Sequence, residues 1–105
     1  MNVIKEIKKQ IHDNPILIYM KGSPDSPSCG FSAKAVEAIS SCGVYFAYVD
    51  VLENEHIRSA LPEYAKWPTF PQLWVKGELI GGCDIILNMH HSGELKILLN
   101  KSIIK

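Results

Sequence analysis

The sequence has no charge of either sign to spare. Among its 105 residues, eleven lysines and arginines balance eleven aspartates and glutamates. No basic field exists to gather nucleic acid or an anionic membrane, so neither is expected as a partner. Long hydrophobic runs are also missing. The apolar run Ile16–Met20 covers about a quarter of a membrane span. The opening residues, Met1-Asn2-Val3-Ile4-Lys5-Glu6-Ile7-Lys8-Lys9, mix charge with apolar side chains and lack a signal-peptide core. A soluble, cytoplasmic protein is expected. Cysteine is scarce and odd in number: Cys29, Cys42 and Cys83 form no CxxC pair. That suits a reducing compartment better than a disulfide framework. The three cysteines match no finger or ribbon spacing, which argues against structural zinc. No repeat, low-complexity tract or linker divides the chain.

What is present suits one domain, residues 1–105. Hydrophobic residues make up 47% of the chain, enough for a core without disulfide staples. Val3, Ile4, Ile7 and Ile11 make a helical stripe that Asn14-Pro15 ends. Ile16–Met20 reads as a strand covered on both faces, and residues 21–28 as a loop. Ser28 is placed to cap a helix that buries Phe31, Ala35, Val36, Ile39 and Cys42 and closes at Gly43. Tyr45 to Val51 reads as a second strand, parallel to the first through a right-handed crossover. A helix with Ile57, Leu61 and Tyr64 inward follows, kinked or restarted at Pro62. Gln72 to Val75 and Glu78 to Ile80 form a hairpin about Lys76-Gly77. Gly81-Gly82-Cys83-Asp84 opens a further helix, and Glu94 to Asn100 forms the last. The fold class is α/β, a small mixed sheet flanked by helices.

Cys29 is the candidate reactive group. It stands in the first turn of a helix, where free N–H groups and the dipole favour a thiolate. It also follows a loop at the carboxyl end of a strand, where open α/β sheets bind ligands. Lys21, at the other end of that loop, can add positive charge. Ser32 occupies the position at which a CxxC motif carries its second thiol, so no disulfide can close across this turn. Any disulfide of Cys29 is therefore with a small thiol, another protein or a distant cysteine.

Cys29-Gly30-Phe31-Ser32, preceded by Lys21-Gly22 and Pro27, resembles the signature of the monothiol, CGFS-type glutaredoxins. Trp67-Pro68-Thr69-Phe70-Pro71 and Gly81-Gly82-Cys83-Asp84 fall where that family keeps its other motifs, and the likeness spans residues 3–100. It is strongest to the short, single-domain bacterial members. The resemblance implies a thioredoxin fold with a four-stranded sheet, glutathione binding, and a [2Fe–2S] cluster shared by a homodimer. It implies that Lys21 and Arg58 hold the glycyl carboxylate and that the main chain of Phe70, before a cis Pro71, meets the cysteinyl portion. Backbone N–H groups of Cys83 and Asp84 would take the γ-glutamyl carboxylate, and the Asp84 side chain the ammonium. Each residue also has a plainer reading: Arg58 as a solvated helix residue, Asp84 as an N-cap, Trp67, Phe70 and Trp74 as packing. Cys42 reads as core, and His90-His91 as a pair at a helix end. Cys83 reads as a neighbour of the ligand or as an oxidative partner of Cys29.

A [2Fe–2S] cluster generally takes four thiolates. One exposed thiol per chain cannot supply them, whereas two Cys29 thiolates and two glutathiones can. Such a cluster would be labile, as suits transfer to apo iron–sulfur proteins. The alternative is an enzyme in which Cys29 attacks a glutathionylated protein and a second glutathione resolves the adduct. The family resemblance also implies mixed complexes with BolA-type proteins.

Overall fold

The computed structural model describes residues 2–103. Helix α1 (Val3–Asp13) is capped by Asn2, whose side chain accepts the Ile4 N–H at 2.9 Å. Strand β1 (Ile16–Met20) is buried along its whole length. A short hairpin follows, β2 (Gly22–Ser23) and β3 (Ser26–Pro27), and then helix α2 (Gly30–Ser40). Strand β4 (Ala47–Asp50), helix α3 (Glu55–Ala65), strands β5 (Gln72–Val75) and β6 (Glu78–Gly81), and helices α4 (Cys83–Ser92) and α5 (Glu94–Ile103) complete the chain.

The four long strands form a sheet in the order β4-β1-β5-β6. β1 pairs parallel with β4 and antiparallel with β5, and β5 pairs antiparallel with β6. Side chains alternate between faces, as the period of two requires. Leu17, Tyr19 and Trp74 pack with Ile7, Ile11, Ile57 and Leu61 of α1 and α3. Ile16, Ile18, Met20, Leu73 and Val75 pack with Ala35, Ile39, Ile86, Leu95 and Leu99 of α2, α4 and α5. Both faces of β1 are thus covered, which explains its unbroken apolar sequence. Cys42 lies in the second of these clusters. Among the described residues no helix is long and apolar enough to cross a membrane.

Local details differ from the sequence-based expectations, each for a physical reason. The N-cap of α2 is Cys29, not Ser28: the Ser28 N–H joins the hairpin by pairing with the Lys21 carbonyl at 3.0 Å, and the first helical bond runs from the Ala33 N–H to the Cys29 carbonyl at 2.9 Å. Phe31 is not in the core; it is 61% exposed, and Ser32 is fully buried in its place. The inward stripe of α2 is Ser32, Ala35, Val36 and Ile39, spaced i, i+3, i+4, i+7, and residue 31 stands about 100° off it. Residues 21–28 are not a plain loop but contain the β2–β3 hairpin, with Gly22 opposite Pro27 and Ser23 opposite Ser26. The second strand is shorter than expected, and Tyr45 lies outside it, exposed. α3 runs through Pro62 as one helix; the proline costs it the N–H that would have met the Arg58 carbonyl. Tyr64 is half-buried rather than inward, stacked on Trp74 at 6.4 Å between ring centroids. His90 and His91 occupy the last turn of α4, near its negative end.

Candidate functional site

The carboxyl end of β1, the start of α2, the 67–71 segment and the start of α4 meet around one cleft of about 830 Å³. Its walls carry all six site residues expected from sequence: Lys21, Cys29, Arg58, Phe70, Cys83 and Asp84. Residues that come from five separate stretches of chain are brought together by the crossover and the hairpin. The cleft also has apolar walls that the sequence reading did not assign, chiefly Phe31, Trp67 and Ile85. Phe31 could have been found from helical periodicity, since Ser32, not Phe31, continues the stripe of α2.

Cys29 is partly buried at the α2 N-cap, in extended backbone. Its thiol is held below the ordinary cysteine range, first by the Ser32 backbone N–H, then by the Phe31 N–H, the Lys21 charge and the Ser32 hydroxyl, with partial burial opposing. The other two thiols are different. Cys83 is 8% exposed, and burial, with the nearby Asp84 carboxylate, pushes it up against the pull of Lys34. Cys42 is likewise raised by burial. Cys29 is therefore the more acidic and more nucleophilic thiol of the cleft, while burial holds the protons on the other two cysteines.

The charged groups around it are of both signs. Lys21 and Arg58 are cationic, and Asp84 is anionic. Asp84 is not the N-cap of α4, a position held by Gly82, so its carboxylate is one residue inside the first turn. The N–H groups of that turn have no partner within the helix and are free for an anion. Gly82 stands where a side chain would intrude: a Cβ there would lie 3.3 Å from both the Pro71 carbonyl oxygen and the Trp67 Nε1. The Trp67 Nε1 is itself a buried donor with no hydrogen-bond partner among the described residues. The Phe70–Pro71 peptide is cis.

Gln72 was not anticipated from sequence. It is fully buried; its amide donates to the Trp67 carbonyl oxygen at 2.9 Å, and its side-chain oxygen accepts from the Trp74 indole at 3.3 Å. It thereby ties the 67–71 wall of the cleft to the sheet. A polar residue in a strand whose neighbours are all apolar was the available signal.

Comparison with known proteins gives a consistent picture. The glutaredoxin family model matches residues 16–80. Glutaredoxin 4 of Buchnera aphidicola subsp. Schizaphis graminum is 66% identical, the match covering 99% of this chain and 97% of that protein. Glutaredoxin 4 of Escherichia coli strain K12 is 61% identical, with 97% of this chain and 89% of that protein covered. The solution structure of reduced apo GrxS14 from poplar superimposes with a TM-score of 0.81 at 40% identity, covering 96% of this chain and 93% of that one. The holo form of poplar glutaredoxin C1 matches with a TM-score of 0.85 at 24% identity, covering 97% and 90% of the two chains, a likeness of fold. With the thioredoxin-like sheet, the nucleophilic thiol at a helix start and these matches together, the chain belongs to the glutaredoxin family.

Proposed function

We propose that this protein binds glutathione in the Cys29 cleft and, as a cytoplasmic homodimer, carries a labile [2Fe–2S] cluster for delivery to apo iron–sulfur proteins. The observation that carries this reading is a single acidified thiol on the wall of a cleft that presents two cations and one carboxylate. Glutathione has two carboxylates, an ammonium and a thiol, so the charges are complementary. Lys21 and Arg58 would take the glycyl carboxylate. The free N–H groups at the start of α4 would take the γ-glutamyl carboxylate, and Asp84 the ammonium. The main chain of Phe70 would pair with the cysteinyl portion as an added strand does.

The donor set fits a shared cluster and not a private one. Among the described residues, no three His, Cys, Asp or Glu side chains gather in a way that could hold a metal ion. Cys42 and Cys83 are buried with raised thiols. Each chain thus offers one thiolate, and two chains with two glutathiones make the four that a [2Fe–2S] cluster takes. Ser32 adds no competing thiol. A BolA-type protein would be the natural replacement for the second subunit in a mixed complex.

The depressed Cys29 thiol also favours a second reading, glutathione-dependent removal of glutathione from proteins. Its thiolate attacks the glutathionyl sulfur and releases the protein thiolate. A glutathione thiolate then attacks the Cys29 adduct, giving glutathione disulfide and regenerating Cys29.

Anaerobic reconstitution with iron, sulfide and glutathione, read by visible absorption on a sizing column, separates the two. Colour at dimer size, absent without glutathione and in Cys29→Ser, is the expected result. A colourless monomer under all conditions would leave the oxidoreductase reading, to be measured in a glutathione-coupled disulfide assay.

A further inference from the structure

Lys21 sits where β1 ends, and the backbone on both sides of it is held. Its N–H donates to the Ser32 Oγ at 3.2 Å, and its carbonyl accepts the Ser28 N–H at 3.0 Å. The next N–H, that of Gly22, donates at 3.0 Å to Oδ1 of Asp50, at the end of β4 and 28 residues away. Gly22 leaves no slack at this point. Its φ is +88°, and a Cβ there would lie 2.6 Å from both the Ser26 oxygen and the Ser28 nitrogen.

Asp50 has a local role that is complete without Gly22. Its Oδ1 accepts the Leu52 N–H at 2.9 Å, and its carbonyl accepts from the Asn54 amide at 2.9 Å, closing the turn after β4. The bond to Gly22 is additional, and it belongs to neither a helix nor a sheet ladder. We infer that Asp50 is a positioning residue for Lys21: by gripping Gly22 opposite the Ser32 grip on Lys21, it fixes the direction in which the lysine leaves the backbone and keeps its ammonium on the wall of the Cys29 cleft. The role runs through the hydrogen bond and against the charge, since a carboxylate behind a cation weakens its pull on an anion. This inference rests on the reading of Cys29 as the reactive thiol and Lys21 as a cation of its cleft.

That opposition of sign supplies the test. Cys29 is alkylated in the full chain with anionic iodoacetate and with neutral iodoacetamide, and the ratio of the two rates reports positive charge at the sulfur. Lys21→Gln is expected to lower the ratio roughly threefold to tenfold, the scale of one charge at close range in water. Asp50→Ala is expected to lower it by a comparable factor, although loss of a negative charge alone would raise it. Asp50→Asn keeps an oxygen acceptor and is expected to hold the ratio at or above that of the unaltered protein. A ratio unchanged or raised in Asp50→Ala, a fall in Asp50→Asn equal to that in Asp50→Ala, or no fall in Lys21→Gln would each overturn the inference. Should Asp50→Ala fail to fold, amide exchange in the unaltered protein decides: a slowed Gly22 N–H supports the bond, and exchange at the rate of a free amide overturns it. Neither result bears on cluster loading, which stands or falls on the colour of the reconstituted dimer.

Discussion

Ser32 and Cys29 form a two-part device at the start of α2. The Ser32 backbone N–H is the foremost group lowering the Cys29 thiol, while its hydroxyl accepts the Lys21 N–H at 3.2 Å. A residue that is fully buried thus links the nucleophile to the end of β1. The hydroxyl takes the place of a second thiol and ties strand to helix without offering an electron pair to a disulfide.

Because the N–H outranks the hydroxyl in stabilising the thiolate, Ser32→Ala should raise the Cys29 thiol yet leave it below the ordinary cysteine value. The pH dependence of iodoacetamide alkylation measures this directly. A larger rise would mean that the hydroxyl, not the backbone, holds the thiolate.

The same depression makes stability depend on pH with a defined sign. A thiol lowered in the folded state stabilises the fold above its unfolded pKa, and the contribution is lost as pH falls through the folded value. Under reducing conditions, the stability advantage of the protein over Cys29→Ser should therefore grow as pH rises from the lowered folded value to the ordinary cysteine pKa of about 8.5, and level off above it. Urea unfolding across that range checks it; a gap that narrows with rising pH would contradict the shift.

Two glycines of the signature region should respond oppositely to alanine. At Gly22 a Cβ would meet the Ser26 and Ser28 backbone at 2.6 Å in left-handed backbone, so Gly22→Ala should cost more than about 1 kcal/mol. At Gly30 a Cβ meets nothing within 4 Å. Gly30→Ala, in the first turn of α2, should be neutral or stabilising by up to about 1 kcal/mol. Paired denaturation curves give the comparison.

Gln72→Leu should destabilise the fold by about 1–3 kcal/mol, the cost of leaving a buried polar group unpaired. The Trp67 carbonyl loses its donor and the Trp74 indole its acceptor. Glutathione affinity, measured by calorimetry, should fall as well, because the 67–71 wall of the cleft loses its tie to the sheet. Unchanged affinity in a folded variant would show that the wall is held by packing alone.

Much of this was legible in the chain. The apolar run Ile16–Met20 reads as a doubly covered strand and is one, and the order of the main helices and strands follows from the periods of 3.6 and two. Of the six expected residues that line the cleft, Cys29 and Lys21 stood out by position in the chain, whereas Arg58, Phe70, Cys83 and Asp84 were named only through the family resemblance of the motifs. What escaped were matters of orientation. Ser28 is a good capping residue, yet it is drawn into the hairpin with Lys21 and the helix starts from Cys29, a pairing no local propensity contains. Phe31 is apolar, yet the face of α2 that meets the sheet passes through Ser32.

Composition and periodicity determined that this protein is an α/β domain with one activated thiol, because hydrophobic patterning and the end of a helix act over a few residues. The tertiary structure decided which way that thiol's neighbours point. Asp50 and Gly22 are 28 residues apart, and Lys21 and Ser32 are 11 apart. Such bonds exist only once the sheet has brought strand ends together, since hydrogen bonding acts at about 3 Å and sequence separation does not enter into it.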